Sequence, residues 1–475
     1  MALKEKVISY IDKESSRLIE AADRIWELAE IAFDCPRSSQ VLIDLLEDSG
    51  FSIEKNPADV PNSFVARFGH GKPVIGISAE YDALPDMAQT ADSPVKDSGS
   101  GGNGHGCGHN AIGTGAVGAA LGLAHYLSEN NKTGQVVVFG CPAEEVGSGK
   151  AYLAGRGVYD EADVVLTWHP MDKTANWGQS VLANNQFFVT FEGTAAHAAQ
   201  APELGRSALD AAELMNVGVQ FLREHVPQTA RIHYAFLDAG GIAANIVPAR
   251  SKMIYYIRAT EMETCTQITD RVMNIARGAA LMTDTKVSFE WDSAAFNILV
   301  NQTLARAMYD NLKSLFPLPY RPEDYAYMKP FQETLSDEAK AKSRQSFEEN
   351  FPKEDRVALK SMAASSINDR LFPLHFSDDP IYISTDVGDV SWVCPVGQIS
   401  VAYGPNGSPL HSWQWVATGK SHVAHVALLT AAKTIALTGI DLIEEPNLLA
   451  QVKAEHKLNL NGRTYHSPNP KAYAA

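Results

Sequence analysis

The sequence reads GHGCGHN over Gly104–Asn110, where a strand-like segment, Pro73–Ala79, gives way to a helix-like segment, Ala111–Leu127. A strand, a glycine-rich loop and a helix in this order are typical of an α/β fold. Within the loop Cys107 and His109 alternate, and side chains two residues apart point the same way in an extended stretch. Thiolate and imidazole both bind soft or borderline divalent metals. The loop therefore predicts one part of a metal site.

Polar side chains follow other strand-like runs in the same way. Glu144 and Glu145 come after Gln135–Gly140, His169 after Asp163–Thr167, and His411 after Ile399–Tyr403. In an open α/β sheet the carboxyl ends of the strands meet at one rim, where ligands bind, so these groups are expected at one site. Adjacent residues at a strand end face opposite ways. We therefore expect one of the two glutamates to bind metal and the other to face a water.

Strand and helix patterns alternate from Lys4 to Leu182 and predict an α/β catalytic domain, with a mostly parallel sheet flanked by helices. Helical spacing is found at Ala22–Ile31 and Val41–Leu46, and strand patterns at Ser63–Phe68, Pro73–Ala79, Gln135–Gly140 and Val164–Trp168. The pattern resumes with a helix at Gln302–Phe316. Residues 317–380 are polar, with helical composition at Lys340–Asn350, and their role stays open.

The stretch from Ala183 to Ser293 has a different pattern. Strands are predicted at Asn185–Glu192, Ile232–Leu237, Ser251–Ala259 and Lys286–Trp291, and helices at Arg206–Glu224 and Cys265–Thr283. The order β-α-β-β-α-β is that of a ferredoxin-like α+β domain. We therefore predict a catalytic domain made of residues 1–182 and 296–475, interrupted by an inserted domain of residues 183–295.

The composition limits the classes of protein that fit. With 475 residues, 45% hydrophobic and 20% charged, the chain is expected to be globular with more than one core. A net charge of -16 would repel nucleic acid. The N-terminus predicts an amphipathic helix rather than a signal peptide, and the longest helix-like apolar run, His425–Leu437, contains Lys433, so no membrane span is expected. Five scattered cysteines fit a reducing cytoplasm.

On these motifs the chain resembles the dinuclear metal-dependent amidohydrolases, which include metallo-aminoacylases, auxin-conjugate hydrolases and glutamate-releasing carboxypeptidases. Matching segments are Ala79–Pro85, Asn103–Asn110, Glu144-Glu145, Thr167–Pro170, Ala195–Ala199, Gly205–Asp210, Asn245–Arg258, Ser384–Trp392 and Pro409–Trp413. The resemblance implies hydrolysis of the amide bond of an N-acyl or N-aroyl amino acid or a small dipeptide-like substrate. It also implies two divalent metal ions per subunit, Zn²⁺ or Mn²⁺.

The resemblance assigns roles to individual residues. The implied metal ligands are Cys107, His109, Glu145, His169 and His411. Glu144 is implied to be the general base and acid, and His197 to reach into the active site of a partner subunit and stabilise the oxyanion. Asn245 and Arg258 are candidate substrate-binding residues. The inserted domain is implied to be a lid and dimerisation surface, in a homodimer or a heterodimer with a related subunit. Asp82 and Asp386 are expected to orient ligands or line the site.

Alternatives remain at several of these positions. An isolated pair such as Glu144-Glu145 is often a solvated acidic turn, and Arg258 could equally form a structural ion pair. Relatives that bind a substrate α-carboxylate often carry an arginine after the last strand of the insert, where this chain has Trp291-Asp292-Ser293-Ala294. The alternative function is that of a non-catalytic or regulatory partner subunit of a heteromeric amidohydrolase. An intact Glu144 and a complete ligand set argue against it.

Overall fold

The computed structural model describes residues 2–98, 101–342 and 364–469. Within these residues the chain forms two compact units. The first unit contains the chain up to Gln179, then Leu299–Asp378 and Val390–Tyr465. The second unit contains Ser180–Ile298, Asp379–Asp389 and residues 466–469. The inserted segment is therefore joined in its unit by two short later pieces of the chain.

The first unit is built on a mixed sheet of seven strands among the described residues. The strands are β1 (Ser52–Lys55), β2 (Phe64–His70), β3 (Val74–Glu80), β4 (Gly134–Cys141), β5 (Val164–Met171), β6 (Ala175–Asn176) and β11 (Val396–Ala402). Their order is β1-β2-β4-β3-β5-β11-β6. The four central strands, β4, β3, β5 and β11, run parallel, whereas β1, β2 and β6 pair antiparallel. The predicted α/β architecture is confirmed.

Helices pack around this sheet. They are α1 (Ala2–Lys13), α2 (Ser15–Leu28), α3 (Pro36–Glu47), α4 (His109–Glu129), α5 (Gly149–Gly155), α8 (Gln302–Ser314), α9 (Pro322–Glu333), α11 (Trp413–Ala417), α12 (His422–Glu444) and α13 (Pro446–Leu460), with α10 (Val387–Val393) spanning a unit boundary. Every residue of β3 is buried, and α4 packs on it closely, because a Cβ atom on Gly113 would lie only 2.5 Å from the Glu80 carbonyl oxygen. The tight contact fixes the start of α4 above the end of β3.

The helix α12 is longer and more apolar than the sequence pattern suggests. Its 23 residues have the length and hydropathy of a membrane-spanning helix, but 78% of its most apolar window is buried inside the protein. It packs against α4 and β11. This burial is what a core helix of a globular domain shows.

The second unit is an antiparallel sheet covered by two helices. Its elements are β7 (Ala183–Glu192), α6 (Ala208–Leu222), β8 (Arg231–Asp238), β9 (Arg250–Ala259), α7 (Met262–Thr283) and β10 (Lys286–Ala295). The strand order is β10-β7-β9-β8. Burial alternates strictly along β9, with Met253, Tyr255 and Ile257 buried, as a half-buried strand requires. The predicted β-α-β-β-α-β order is confirmed.

Some element boundaries differ from the sequence-based ones. The helix predicted at Ala22–Ile31 is part of α2, which ends at Leu28 because Ala29 adopts a left-handed conformation with φ of 41°. Within the polar stretch 317–380 the structure has one well-defined helix, α9. Most of the helical composition predicted at Lys340–Asn350 falls on residues outside the described ranges.

Candidate active site

The glycine-rich loop brings Cys107 and His109 together by a bend. Gly108 has a φ of +75°, and His109 is the first residue of α4. The expectation of an extended loop is therefore wrong, since the alternation of side chains holds only in a strand. The Cys107 sulfur, a His109 ring nitrogen and a His169 ring nitrogen nevertheless lie within 4.8 Å of one another. The loop and the end of β5 thus share one site.

Glu144 and Glu145 face the same point. Their carboxylate oxygens lie 3.9 and 3.7 Å from His109 Nε2. The expectation that they point to opposite faces is wrong, because the strand β4 ends at Cys141 and Ala143 turns the chain with a positive φ of 60°. A non-glycine residue at such a φ is strained. The turn aims both carboxylates at one imidazole.

Two further histidines complete the group of donors. His169 Nδ1 lies 2.6 Å from the Pro170 carbonyl oxygen, so it donates there and leaves Nε2, 3.4 Å from the Cys107 sulfur, as an acceptor. His411 Nε2 lies 3.3 Å from a Glu145 carboxylate oxygen. His411 also has a positive φ of 58° and is half-exposed. The structure therefore brings all five predicted ligand residues and Glu144 into one cluster.

Asp82 links two members of the cluster. Its Oδ1 accepts from His109 Nδ1 at 3.0 Å, and its Oδ2 accepts from the Glu145 backbone N–H at 3.0 Å. Both side chains of the Asp82–His109 pair are fully buried. A carboxylate on Nδ1 fixes the imidazole so that its Nε2 is directed at the other donors, as in many metal sites. The predicted orienting position of Asp82 agrees with this geometry, and Asp386 lies in the second unit.

Sequence reasoning missed two charged residues beside the cluster. Glu80, the last residue of β3, lies with one oxygen 2.7 Å from Lys150 Nζ and the other 3.4 Å from His109 Nε2. Both side chains are buried. The only signal in the sequence is a glutamate at the end of a strand-like run, two residues before Asp82. Nothing in the spacing predicts that the lysine after Gly149 would meet it.

The donors fit a divalent metal centre on two observations. Glu80 Oε2 and His109 Nε2 are buried and have no hydrogen-bond partner among the described residues. In addition, the ring nitrogen faces carboxylate oxygens of Glu80, Glu144 and Glu145. Lone pairs facing one another in a dry interior repel unless a cation lies between them. Imidazole, thiolate and carboxylate are the ligand types that zinc accepts.

The pKa values of the metal-free site reflect burial and the carboxylate charges. Burial lowers the pKa of His109, but Asp82 and the other acidic groups raise it more, so its pKa lies well above 6.5. Burial lowers the pKa of His169 to about 4. Burial raises the pKa of the Cys107 thiol, and the charge of Glu145 adds to this effect. Metal binding must therefore displace protons.

A cavity of about 580 Å³ opens beside the cluster in the first unit. Its lining includes His411, Met87, Trp413 and Lys96. Met87 and Trp413 offer apolar surface, and Lys96 offers a positive charge. The cavity is large enough for a small organic substrate, and it places such a molecule against a predicted metal ligand.

The second unit brings His197 and Asn245 together. His197 pairs with Ile246 in a short β-bridge, and the Ala198 N–H donates to the Asn245 carbonyl oxygen at 3.0 Å. The His197 ring is exposed. Its Nδ1 accepts from the backbone N–H groups of Ala199 and Gln200 at 3.2 and 3.0 Å. Because Nδ1 is an acceptor, the neutral ring carries its proton on Nε2.

Arg258 lies at the other end of its strand. Asn245 precedes β9, and Arg258 is the second-last residue of that strand. Eight residues of extended chain separate Arg250 from Arg258, which is roughly 26 Å at 3.3 Å per residue. The expectation that Arg258 lies near Asn245 is therefore wrong. Its guanidinium instead lies over the Tyr256 ring, 5.5 Å from the centroid.

The fold and the donor cluster define a metal-dependent hydrolase that acts on amide bonds. The chain belongs to peptidase family M20/M25/M40, whose sequence pattern matches residues 76–366. The family resemblance predicted from the motifs is confirmed, and with it the prediction of an enzyme of the amidohydrolase type.

The relatives span nearly the whole chain. It is 40% identical to one of the subunits of p-aminobenzoyl-glutamate hydrolase of Escherichia coli strain K12, over 97% of this chain and 96% of that protein. The motifs, in particular residues 104–110 and 384–392, predict this likeness. It is 29% identical to a Xaa-Arg dipeptidase of Mus musculus, over 96% and 93%. The fold matches a solved dinuclear metal-binding M20 peptidase of Bacillus subtilis with a TM-score of 0.56, at 17% identity over 91% and 99%.

Proposed function

We propose that this chain hydrolyses the amide bond of an N-acyl or N-aroyl amino acid, such as an aminobenzoyl-glutamate-like molecule, or of a small dipeptide-like substrate. One observation carries the proposal. The Glu144 carboxylate lies beside His109 within a cluster of buried metal-binding side chains, next to a cavity of substrate size. A structural metal site has no use for a spare carboxylate, whereas a hydrolase needs one as a base.

The proposed ligands for two divalent ions are Cys107, His109, Glu145, His169 and His411. The thiolate favours Zn²⁺, and the carboxylates and imidazoles also accept Mn²⁺. The chemistry that the ions supply when bound is Lewis acidity, which polarises a carbonyl and makes a water more acidic. Asp82 holds the imidazole of His109 and the backbone of Glu145 in place for them.

Glu144 is the proposed general base and acid. It accepts a proton from the attacking water while the water oxygen bonds to the amide carbon. It then donates that proton to the nitrogen as the carbon–nitrogen bond breaks. The products are a carboxylic acid and an amine, so the two transfers return Glu144 to its starting state. The complete donor set around Glu144 also argues against a non-catalytic partner subunit.

The cavity beside His411 suits the acyl or amino-acid part of the substrate. Met87 and Trp413 would pack on an apolar or aromatic group, and Lys96 would attract a carboxylate. Lys96 thus offers the cation that relatives place after the last strand of the insert. At that position this chain has Asp292, whose pKa is raised by burial and by Glu290.

The test is turnover of a substrate panel by protein loaded with Zn²⁺ or Mn²⁺. The panel contains p-aminobenzoyl-glutamate, N-benzoyl and N-acetyl amino acids, and dipeptides. We expect at least one N-acyl or N-aroyl amino acid or dipeptide to be cleaved. Glu144→Gln should keep its metal and lose about 10²- to 10⁴-fold in kcat. The control is Glu47→Gln, an exposed position at the end of α3. Normal turnover by metal-loaded Glu144→Gln would overturn the assignment.

We infer that the second unit is a lid and dimerisation domain. Its strand β8 pairs only with β9 among the described residues, so its outer edge is unpaired. Tyr234, Phe236 and Leu237 on β8 are exposed. On α6, the exposed residues Leu214, Val217 and Phe221 form a second apolar row at helical spacing. An apolar edge strand of this kind invites pairing with another chain.

The proposed dimer gives His197 its role. Its Nε2–H is exposed and able to donate to an oxyanion, and a two-fold arrangement would let each second unit serve the other copy. Asn245, on the adjoining loop, would contact the same substrate. The test mixes Glu144→Gln and His197→Ala proteins and lets subunits exchange. Recovered activity is expected, because one site of a mixed dimer then carries neither lesion. Exchange without recovery would overturn the role.

The partner and location follow from the same reasoning. A second copy of this chain is the proposed partner, and a related subunit is the alternative, because the Escherichia coli relative is named as one subunit of a hydrolase. All five cysteines are buried free thiols, as expected in the reducing cytoplasm that we propose.

A further inference from the structure

The ion pair between Glu80 and Lys150 has no part in the proposed reaction. Lys150 Nζ lies 2.7 Å from Glu80 Oε1, and the lysine side chain is 0% exposed. Burying an ammonium and a carboxylate is costly unless each is paired. Burial alone would raise the pKa of Glu80, but the charges of Lys150, His109 and His169 outweigh it, and the pKa lies below its ordinary value. The pair is therefore ionised.

The second oxygen of Glu80 faces the metal-binding cluster. Glu80 Oε2 lies 3.4 Å from His109 Nε2 and has no hydrogen-bond partner among the described residues. It does not belong to any of the groups in which three donor atoms lie within 4.8 Å of one another. This carboxylate is thus close enough to the ligands to compete for a metal ion, yet it lies at the margin of their cluster.

Lys150 is held firmly in place. It lies in the first turn of α5, directly after Gly149. A Cβ atom on Gly149 would lie 1.9 Å from the Pro142 carbonyl oxygen, so only glycine allows α5 to pack this closely on the turn that carries Glu144 and Glu145. The backbone of Lys150 is therefore tied to the same turn as two of the acidic residues of the cluster.

We propose that Lys150 is a positioning residue that holds Glu80 beside the metal ligands but outside their set. The ammonium occupies one carboxylate oxygen and neutralises its charge, so Glu80 has little tendency to turn towards a divalent ion. Without Lys150, a buried carboxylate would remain unpaired at 3.4 Å from His109. It would then bind metal with both oxygens and take the space that water and substrate need. This inference rests on the proposed metal centre.

The experiment compares Lys150→Met, Glu80→Gln and the double variant with wild-type holoenzyme. Lys433→Met is the matched control, because Lys433 forms an ion pair with Asp12 on α12 and α1, away from the cluster. Three quantities are measured: bound metal and its affinity by chelator competition, kcat, and the visible spectrum of the Co²⁺-substituted protein. The intensity of that spectrum falls as the number of ligands on Co²⁺ rises.

Lys150→Met is expected to bind metal at least as tightly as wild type, to lose about 10- to 100-fold in kcat, and to show a weaker Co²⁺ spectrum. The double variant should regain most of the lost kcat and the wild-type spectrum, because a neutral amide does not compete for the ion. An unchanged spectrum in Lys150→Met, or a double variant no more active than the single one, would overturn the proposal.

Two further outcomes are informative. If Lys150→Met does not fold, Glu80→Gln and the double variant decide the question, since a Co²⁺ spectrum that differs from wild type in both would make Glu80 a ligand and overturn the proposal. Failure of the wild-type protein to bind metal would instead refute the metal centre itself, so the two failures are distinguishable.

Discussion

Asp82→Asn tests how far one buried carboxylate supports the metal centre. Asp82 accepts two hydrogen bonds, from His109 Nδ1 and from the Glu145 N–H, each at 3.0 Å. Asparagine has one acceptor oxygen and one NH₂ group, so one of the two N–H groups must face another donor. A hydrogen bond to a charged group contributes about 1.5–3 kcal/mol, and a buried unsatisfied donor costs about 1–3 kcal/mol. We expect a loss of about 2–4 kcal/mol in the unfolding free energy of metal-free protein.

The same substitution should weaken metal binding. Loss of a carboxylate that orients a ligand costs about 10- to 100-fold in metal affinity, which lowers the stabilisation by saturating metal by about 1.4–2.8 kcal/mol. The assay is denaturant unfolding with chelator and with metal. The control is Asp163→Asn, because Asp163 also accepts a backbone N–H, from Val74, and pairs with Lys453. It should lose stability without a change in metal affinity. Equal metal affinity in Asp82→Asn and wild type would refute the reasoning.

Three other predictions concern the loop, the dimer and pH. Cys107→Ser and His109→Ala should lower metal occupancy and melting temperature together, because metal binds only the folded chain; unchanged occupancy by elemental analysis in both would exclude the loop. Phe236→Lys should convert the dimer to monomer in sedimentation, because it buries a charge at the β8 edge; a dimer that persists would place the interface elsewhere. Burial lowers the folded pKa of His456 below 6.5, so its contribution to stability is present above pH 6.5 and lost as the pH falls through the folded pKa. His456→Gln should reduce that pH slope by at most about 1.4 kcal/mol per pH unit, and an identical slope would contradict this.

The fold could be predicted because its signals are local. A strand such as β3 is a short apolar run, and α4 follows a glycine-rich loop, so each element is recognisable within a short stretch of sequence. The β-α-β-β-α-β order of the second unit is set by hydrophobic periodicity alone. Boundaries such as the end of α2 were not predictable, because they depend on one residue, Ala29, taking a left-handed conformation.

The residues of the site divide in the same way. The sequence by itself determined which side chains gather, since Cys107, His109, Glu145, His169 and His411 each follow a parallel strand, and parallel strands end at one rim. It also determined the family. Arg258 shows the limit, because its distance from Asn245 depends on which end of β9 each residue occupies.

Only the tertiary structure decided where those side chains point and what lies behind them. Glu144 and Glu145 share one face because a turn at Ala143 ends the alternation of the strand. Glu80 meets Lys150, far along the chain, because β3 pairs with β4 in parallel and Gly149 lets α5 pack on the Pro142 carbonyl. A contact of this kind is created by packing between distant segments, and no spacing along the chain encodes it.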